Sequence, residues 1–418
     1  MVRAPILLAL DHSDIAGLKR ARQSLLVFCP LAHFSLLLFL ILQNISMKFQ
    51  TPCFIVAAAA ANNRRSSSPS ALKSSAQDLL YRDQQQAMAR RSGFEETLMK
   101  NNIQELVAPK LKPKPANSGT GFASSKKVDP MARLAVEQCK VIKKDGVLRI
   151  DGAMNSDLAD RLREYVVEQQ ALAETVTKES PHLSQSFYGV ENQRKSRCDL
   201  QLSLLKGGFK SDHGAPVDDS EHHVLADALQ ELLGQKGTLR SLYEQLVTLE
   251  GEFYELAAVI TDPGSDRQQV HPDLPFQKTA PLYVIFLALQ DVTEAMGPTT
   301  FLSGTHTERE TDTFMDMNKR DDQLSQAAGK IATLKKGDAV LFDARVLHCG
   351  NANELVGGST RALFNFSFRN PMVLGNLGYP GSMRPAYSGE ISLGDVSDAL
   401  IAYENGEKDP FAEYGDGL

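Results

Sequence analysis

Residues 339–368 of this 418-residue chain read AVLFDARVLHCGNANELVGGSTRALFNFSF. Two strongly apolar runs, Ala339–Phe342 and Arg361–Phe368, stand on either side of a segment rich in Gly and Asn. Short apolar runs bounded by such residues are typical of buried β-strands. The stretch therefore predicts two strands, with His348 and Arg361 as the polar residues that adjoin them.

Further strand-like and helical runs extend this pattern toward the N-terminus. A helix capped by Asn155 or Ser156 is predicted to reach about Gln170, and another is predicted over Glu221–Leu233. Many short strands after an early helical part predict an α+β fold, a double-stranded β-helix (a jelly-roll or cupin-like barrel) with supporting helices. The other predicted strands are Gly146–Ile150, Asp199–Leu205, Glu255–Ile260 and Leu282–Leu289.

The sequence before this domain divides into two parts. Residues 1–62 are predicted to be a signal peptide or a signal anchor, because basic residues precede the apolar run Leu25–Leu42. Met47 is an alternative start, since a short apolar stretch and five alanines follow it. Residues 63–129 are predicted to be a polar, partly disordered extension and linker, and residues 130–418 the folded domain. The protein is thus expected in the secretory pathway, in an organelle or anchored to a membrane.

Composition limits the classes of partner. The net charge of -6 and the pI near 5.9 argue against a nucleic-acid-binding protein, which needs a basic face. The five cysteines are scattered and form neither a disulfide framework nor a CxxC zinc site. A small-molecule substrate is favoured, contact with a membrane is expected only through an N-terminal anchor, and the pattern favours no particular oligomeric state.

His271-Pro272-Asp273 is the first motif with chemical content. Side chains at positions i and i+2 of a strand point to the same side, so His271 and Asp273 can bind one metal ion. His348 is the candidate third ligand. Two His and one carboxylate form the facial triad of non-haem iron(II), which leaves coordination positions open, although zinc could use the same ligands.

Arg361 follows His348 by thirteen residues. A buried guanidinium stays charged and pairs with a carboxylate in fork geometry, which fits the far carboxylate of 2-oxoglutarate. An HxD pair arises easily by chance. The ordered set of HxD, distal His and trailing Arg, each adjoining a strand, is far more specific.

From about Lys144 to Pro371 the chain resembles the phytanoyl-CoA dioxygenase family of Fe(II)- and 2-oxoglutarate-dependent oxygenases. Four motifs carry the resemblance. The first is an opening strand and turn, and the second is an acidic turn followed by Gly-Pro. The third is a Gly-containing turn that ends in His306, and the fourth is the distal histidine with its Gly and Asn. These motifs are DGVLRIDG (145–152), LQDVTEAMGP (289–298), TTFLSGTH (299–306) and HCGNAN (348–353).

The resemblance implies that His271, Asp273 and His348 bind iron and that Arg361 binds 2-oxoglutarate. It also implies that Phe286 walls the co-substrate pocket. Ascorbate is a further candidate cofactor. Pro272 departs from the family pattern, in which a polar residue is frequent, so one co-substrate hydrogen bond is expected to be absent or replaced.

The expected reaction is hydroxylation of an aliphatic C–H bond in a small-molecule or lipid-type substrate, with release of succinate and CO2. The retained Asp273 favours hydroxylation over halogenation. Two alternatives stay open. One is a prolyl-hydroxylase-like enzyme acting on peptides in the secretory pathway, against which Arg361 weighs because such enzymes more often use Lys there. The other is a non-catalytic ligand-binding barrel. Lys206–Lys210, Asp212–Asp219 and Arg309–Gln326 are expected to be loops that rim the site.

Overall fold

The computed structural model describes residues 69–111, 129–189, 196–212, 222–379, 381–384, 387–407 and 409–414. They belong almost entirely to the second of two compact units, Met1–Ser75 and Ala76–Leu418. The predicted signal peptide or anchor, residues 1–62, lies outside the described residues, so its role and the localisation drawn from it stay predictions. None of the helices in the described ranges combines the length and hydropathy needed to span a bilayer.

Nine α-helices and ten strands are assigned in the described residues, and four short 3-10 turns accompany them. The helices are α1 (Pro69–Met99), α2 (Pro130–Asp145), α3 (Ser156–Glu179), α4 (Phe209–Asp212), α5 (Val224–Leu233), α6 (Arg240–Val247), α7 (Glu308–Met315), α8 (Arg320–Gln326) and α9 (Leu393–Glu404). The strands are β1 (Ile103–Glu105), β2 (Val147–Ile150), β3 (Arg197–Gln201), β4 (Glu252–Thr261), β5 (Leu282–Ala288), β6 (Thr299–Leu302), β7 (Gly329–Ile331), β8 (Ala339–Asp343), β9 (His348–Gly350) and β10 (Arg361–Arg369).

The strands form two sheets. The larger has the order β2-β8-β5-β10-β4-β3 and is antiparallel throughout, whereas the smaller has the order β1-β7-β6-β9. Neighbours in these orders are mostly distant in sequence, as expected when strands cross back and forth between two sheets. The predicted jelly-roll barrel with supporting helices is confirmed.

Side chains along β10 point alternately toward the helical layer and toward the barrel interior. Phe364, Phe366 and Phe368 are fully buried and pack in the cluster that includes the apolar faces of α2, α3, α5, α6 and α9. Successive side chains of a strand point to opposite faces, so Arg361 and Asn365 face the interior. The helices thus cover one face of the large sheet, and the other face is left for the site.

The helical layer begins at signals that are visible in the sequence. The Asp129 side chain accepts the Met131 N–H at the start of α2, and Pro130 occupies its first turn. The helix ends at Gly146, whose φ of 72° is left-handed and costs glycine little. The turn from Gly146 into β2 sets the strand against β8.

The segment 63–129, expected to be an extension and linker, contributes structure to the domain. Strand β1 pairs in parallel with β7, with Ile103 opposite Gly329. Ser92, Glu95 and Met99 on α1 are buried. Residues 92–106 of the predicted polar, partly disordered extension and linker therefore include side chains and a strand that pack against the domain. The boundary near residue 130 stays a prediction.

Candidate active site

His271 and His348, seventy-seven positions apart in the sequence, are brought together by direct backbone pairing. The N–H of each donates to the carbonyl of the other at 2.9 Å, forming an isolated antiparallel bridge. The N–H of Asp273 donates to the Ala344 carbonyl at 2.9 Å. The HPD segment therefore lies beside the β8–β9 turn, and all three predicted ligands reach one point.

The ligand atoms of the triad lie within 4.8 Å of one another. Asp273 Oδ1 is 3.8 Å from His271 Nε2 and 3.4 Å from His348 Nε2. Nδ1 of His271 lies 2.8 Å from the Gln269 carbonyl, and Nδ1 of His348 lies 3.0 Å from the Val346 carbonyl. A proton on each Nδ1 donates to these carbonyls, and in this tautomer the Nε2 lone pair of each ring can coordinate a metal ion.

Burial favours the metal-binding protonation state of the histidine. It lowers the pKa of His348 to about 4, so the ring is neutral at physiological pH. Desolvation raises the pKa of Asp273 to about 6, and the neighbouring His271 opposes this rise, while 29% of the Asp273 side chain stays exposed. A cation beside it offsets this desolvation, so the donor set fits a divalent metal ion.

Arg361 lies at the start of β10 with 2% of its surface exposed. It donates through Nη1 to the Gly297 carbonyl and through Nη2 to Thr261 Oγ1 at 3.1 Å. Gly297 presents that carbonyl from a left-handed backbone, with φ of 67°. Nε has no hydrogen-bond partner among the described residues, and burial with a repulsive Arg197 lowers the pKa of Arg361 to about 9.

A buried guanidinium without a carboxylate partner is costly unless an anion completes it. Arg361 and the triad line the same cavity, of about 530 Å³. The far carboxylate of a dicarboxylic acid whose other end reaches the metal therefore fits this orphaned donor. Phe286 also lines the cavity and packs on Phe342 at 5.0 Å between ring centroids. The structure thus brings together all five residues singled out from the sequence.

Neighbouring turns hold the distal histidine in place. Thr305 Oγ1 accepts the N–H of Leu347 at 2.9 Å, immediately before His348. His306 lies 3.2 Å through Nε2 from the Lys143 carbonyl of α2 and does not join the triad. Pro272 lines the cavity without a polar group of its own.

Helix α1 fixes the segment that precedes His271. The buried Glu95 carboxylate accepts the N–H of Val270 at 2.8 Å and pairs with Arg91 at 2.9 Å. Arg267 donates to the Ser92 carbonyl at 2.9 Å and to Cys349 Sγ at 3.1 Å. The helix therefore contacts the residue before one ligand, and through Arg267 the residue after another.

Several cavity residues were missed in the sequence. Glu255 and Asn365 are buried there, and Arg197, Asp199 and Tyr379 also line it. A visible signal existed for Glu255, a lone acid within the apolar run FYELAAVI (253–260). Burial raises the pKa of Glu255 to about 7, and the titratable groups facing it, Tyr379, Asp273 and Asp199, are all acids.

The loops expected to rim the site are only partly placed as predicted. Arg309–Gln326 forms most of α7 and α8 and does not line the cavity. The rim includes instead Tyr379 and Ser382, from the segment after β10. Lys206–Lys210 leads into α4 and does not line the cavity either. Residues 213–219 of the third expected loop, Asp212–Asp219, lie outside the described ranges.

A jelly-roll barrel that places two His and one carboxylate around an open position defines a non-haem iron oxygenase. The model of the phytanoyl-CoA dioxygenase family matches residues 142–354, and the chain belongs to this family. The predicted class of enzyme, dependent on Fe(II) and 2-oxoglutarate, is thereby confirmed. A search of curated protein sequences returned no significant match.

Solved structures of similar fold include the 2-oxoglutarate-dependent epimerase SnoN of nogalamycin biosynthesis, with 16% identity and a TM-score of 0.37 over 58% of this chain and 84% of that one. AviO1 of Streptomyces viridochromogenes has 15% identity and a TM-score of 0.38, over 58% and 97%. HygX of Streptomyces hygroscopicus, with nickel and 2-oxoglutarate bound, has 13% identity and a TM-score of 0.37, over 59% and 94%. The assignment rests on the family match and the triad.

Proposed function

We propose that His271, Asp273 and His348 hold Fe(II), that Arg361 binds the far carboxylate of 2-oxoglutarate, and that the enzyme hydroxylates an aliphatic C–H bond of a small molecule. The observation that carries this proposal is the buried guanidinium of Arg361, which lines the same cavity as the triad and, among the described residues, has an unsatisfied Nε and no carboxylate partner. A zinc site would give no reason for that guanidinium.

Each residue has a distinct part in this chemistry. The Nδ1 contacts of His271 and His348 with backbone carbonyls fix the ring orientations. Arg361 orients the co-substrate, with Thr261 and Gly297 holding the guanidinium in place. Phe286 forms an apolar wall that keeps water from the reacting atoms.

Fe(II) held by His271, Asp273 and His348 would supply the oxidising chemistry of this class, in which 2-oxoglutarate and O2 are converted to succinate and CO2 while one oxygen atom enters a substrate C–H bond. The complete triad favours this activity over a non-catalytic ligand-binding barrel. Arg361, in place of a lysine, continues to weigh against a prolyl-hydroxylase-like enzyme.

The test is formation of succinate by the protein with Fe(II), ascorbate and 2-oxoglutarate, with and without candidate substrates. Succinate should form with wild-type protein and be lost in His348→Ala. His182→Ala is the matched control, because His182 is exposed and distant in sequence from the site. Equal turnover by His348→Ala, or turnover without iron, would overturn the proposal.

A further inference from the structure

The interior face of the large sheet carries an acidic and amide surface beside the triad. Glu255 on β4 and Asn365 on β10 line the metal cavity. Glu255 is opposite Ser367 in the register of these strands, so Asn365 is its diagonal neighbour on the same face. Asp199 on β3 lines the cavity as well. This acidic wall, defined by Asp199, Glu255 and Asn365, lies outside the metal triad and is not used by the proposed 2-oxoglutarate site.

Two polar atoms of the acidic wall lack partners. Tyr379 donates its hydroxyl to Glu255 Oε1, and the Ser367 hydroxyl, opposite Glu255 in the register, opposes the rise that burial causes in the pKa of that carboxyl. In the described ranges neither Glu255 Oε2 nor Asn365 Oδ1 has a partner within hydrogen-bond distance and geometry. Both side chains are almost completely buried, with 6% and 4% exposed. Buried polar atoms are nearly always satisfied, so two cavity-lining residues that each keep an unsatisfied oxygen favour a ligand with hydrogen-bond donors.

The charges that remain after metal and co-substrate bind favour a cation. The two charges of Fe(II) are offset by Asp273 and the near carboxylate of 2-oxoglutarate, and Arg361 is offset by the far one. The remaining charged groups of the cavity are then one cation, Arg197, and two carboxylates, Asp199 and Glu255. Arg197 donates to the carbonyls of Asp266 and Asn351. An anionic group beside Glu255 would be repelled, whereas an ammonium would be attracted.

We propose that the substrate presents a protonated amine to Glu255 and Asn365, so that it is an amine-bearing small molecule rather than an acyl thioester or a fatty acid. This inference rests on the proposed function, because it assigns the part of the cavity that the metal and 2-oxoglutarate leave free. The amine donates to Glu255 Oε2 and Asn365 Oδ1, which anchors the substrate while a neighbouring C–H bond faces the metal.

The test compares three probes with one carbon skeleton: cyclohexylmethylamine, cyclohexylmethanol and cyclohexanecarboxylate. Their binding is measured by calorimetry to full-length protein loaded with Zn(II), which replaces iron without turnover, and 2-oxoglutarate. The amine should bind wild-type protein more tightly than the alcohol, and the carboxylate most weakly. Glu255→Gln should weaken amine binding about 10- to 100-fold, as loss of a charge-assisted hydrogen bond implies, and change alcohol binding little.

Two further variants keep the test decisive. Asn365→Asp adds a negative charge to the acidic wall and should tighten amine binding. This variant tests the inference even if Glu255→Gln does not fold. Glu407→Gln is the matched control, because Glu407 is exposed, and it should change nothing. Failure of the amine to bind, amine binding unaffected by both wall variants, or preference for the carboxylate would overturn the inference. Failure of wild-type protein to bind 2-oxoglutarate would instead contradict the proposed function.

Discussion

Replacing Arg361 with Met is expected to stabilise the ligand-free protein while abolishing its response to 2-oxoglutarate. Burial lowers the pKa of Arg361 from 12.5 to about 9, which corresponds to about 5 kcal/mol against the charged form. The folded state binds fewer protons than the unfolded state between these values, so this penalty is complete at neutral pH. The hydrogen bonds to Gly297 and Thr261 offset about 1 to 3 kcal/mol of it. The variant should therefore gain about 2 to 4 kcal/mol, since Met keeps most of the packing volume.

The assay is urea unfolding of wild-type and Arg361→Met proteins, with and without Zn(II) and 2-oxoglutarate. At a co-substrate concentration about 100-fold above its dissociation constant, the wild-type protein should gain about 2.7 kcal/mol and the variant almost nothing. Arg369→Met is the control on the same strand, because Arg369 is paired with Glu252 at 3.3 Å. A less stable Arg361→Met protein, or one with the wild-type gain from 2-oxoglutarate, would refute the reasoning.

Three further predictions follow from contacts around the site. Because burial raises the pKa of Glu255 from 4.5 to about 7, the folded state binds the extra proton and metal-free wild-type protein should lose up to about 3 kcal/mol as pH rises through this window. Glu255→Gln should lack that fall in urea unfolding, and parallel pH curves would contradict it. Glu95→Ala should weaken Zn(II) binding roughly tenfold in a competition titration, because the Val270 N–H loses its acceptor, whereas the exposed neighbour Glu96→Ala should not. A chain beginning at residue 129 should melt at lower temperature than one beginning at 76, because it lacks β1 and α1; equal melting would support a boundary near residue 130.

The metal ligands could be predicted because their signal is local. His271 and Asp273 are two residues apart, and His348 follows an apolar strand, so the set could be recognised from its spacing and order, although the backbone bridge between the two histidines became visible only in the structure. Capping signals likewise placed the starts of the helices, as with Asn155 before α3. Arg361 was identified through its order after His348. The structure shows that it begins β10 and lines the same cavity as the triad.

The acidic wall and the role of α1 could not be predicted because they depend on pairing between distant strands. Glu255 faces the cavity only through the register of β4 with β10, which the sequence of either strand leaves undetermined. Helix α1 contacts the domain through Ser92, Glu95 and Met99, too few apolar side chains to produce a helical stripe. Its polar composition therefore predicted an extension and linker rather than an element that packs on the domain.

The central claim is that the triad and Arg361 share one ligand. The most direct measurement is anaerobic calorimetric binding of 2-oxoglutarate and of glutarate, which has both carboxylates but no keto group, with and without Fe(II). The account predicts tight, iron-dependent binding of 2-oxoglutarate, much weaker binding of glutarate, and loss of the preference in His348→Ala. Equal affinity for the two acids, or a preference that persists without iron, would contradict it.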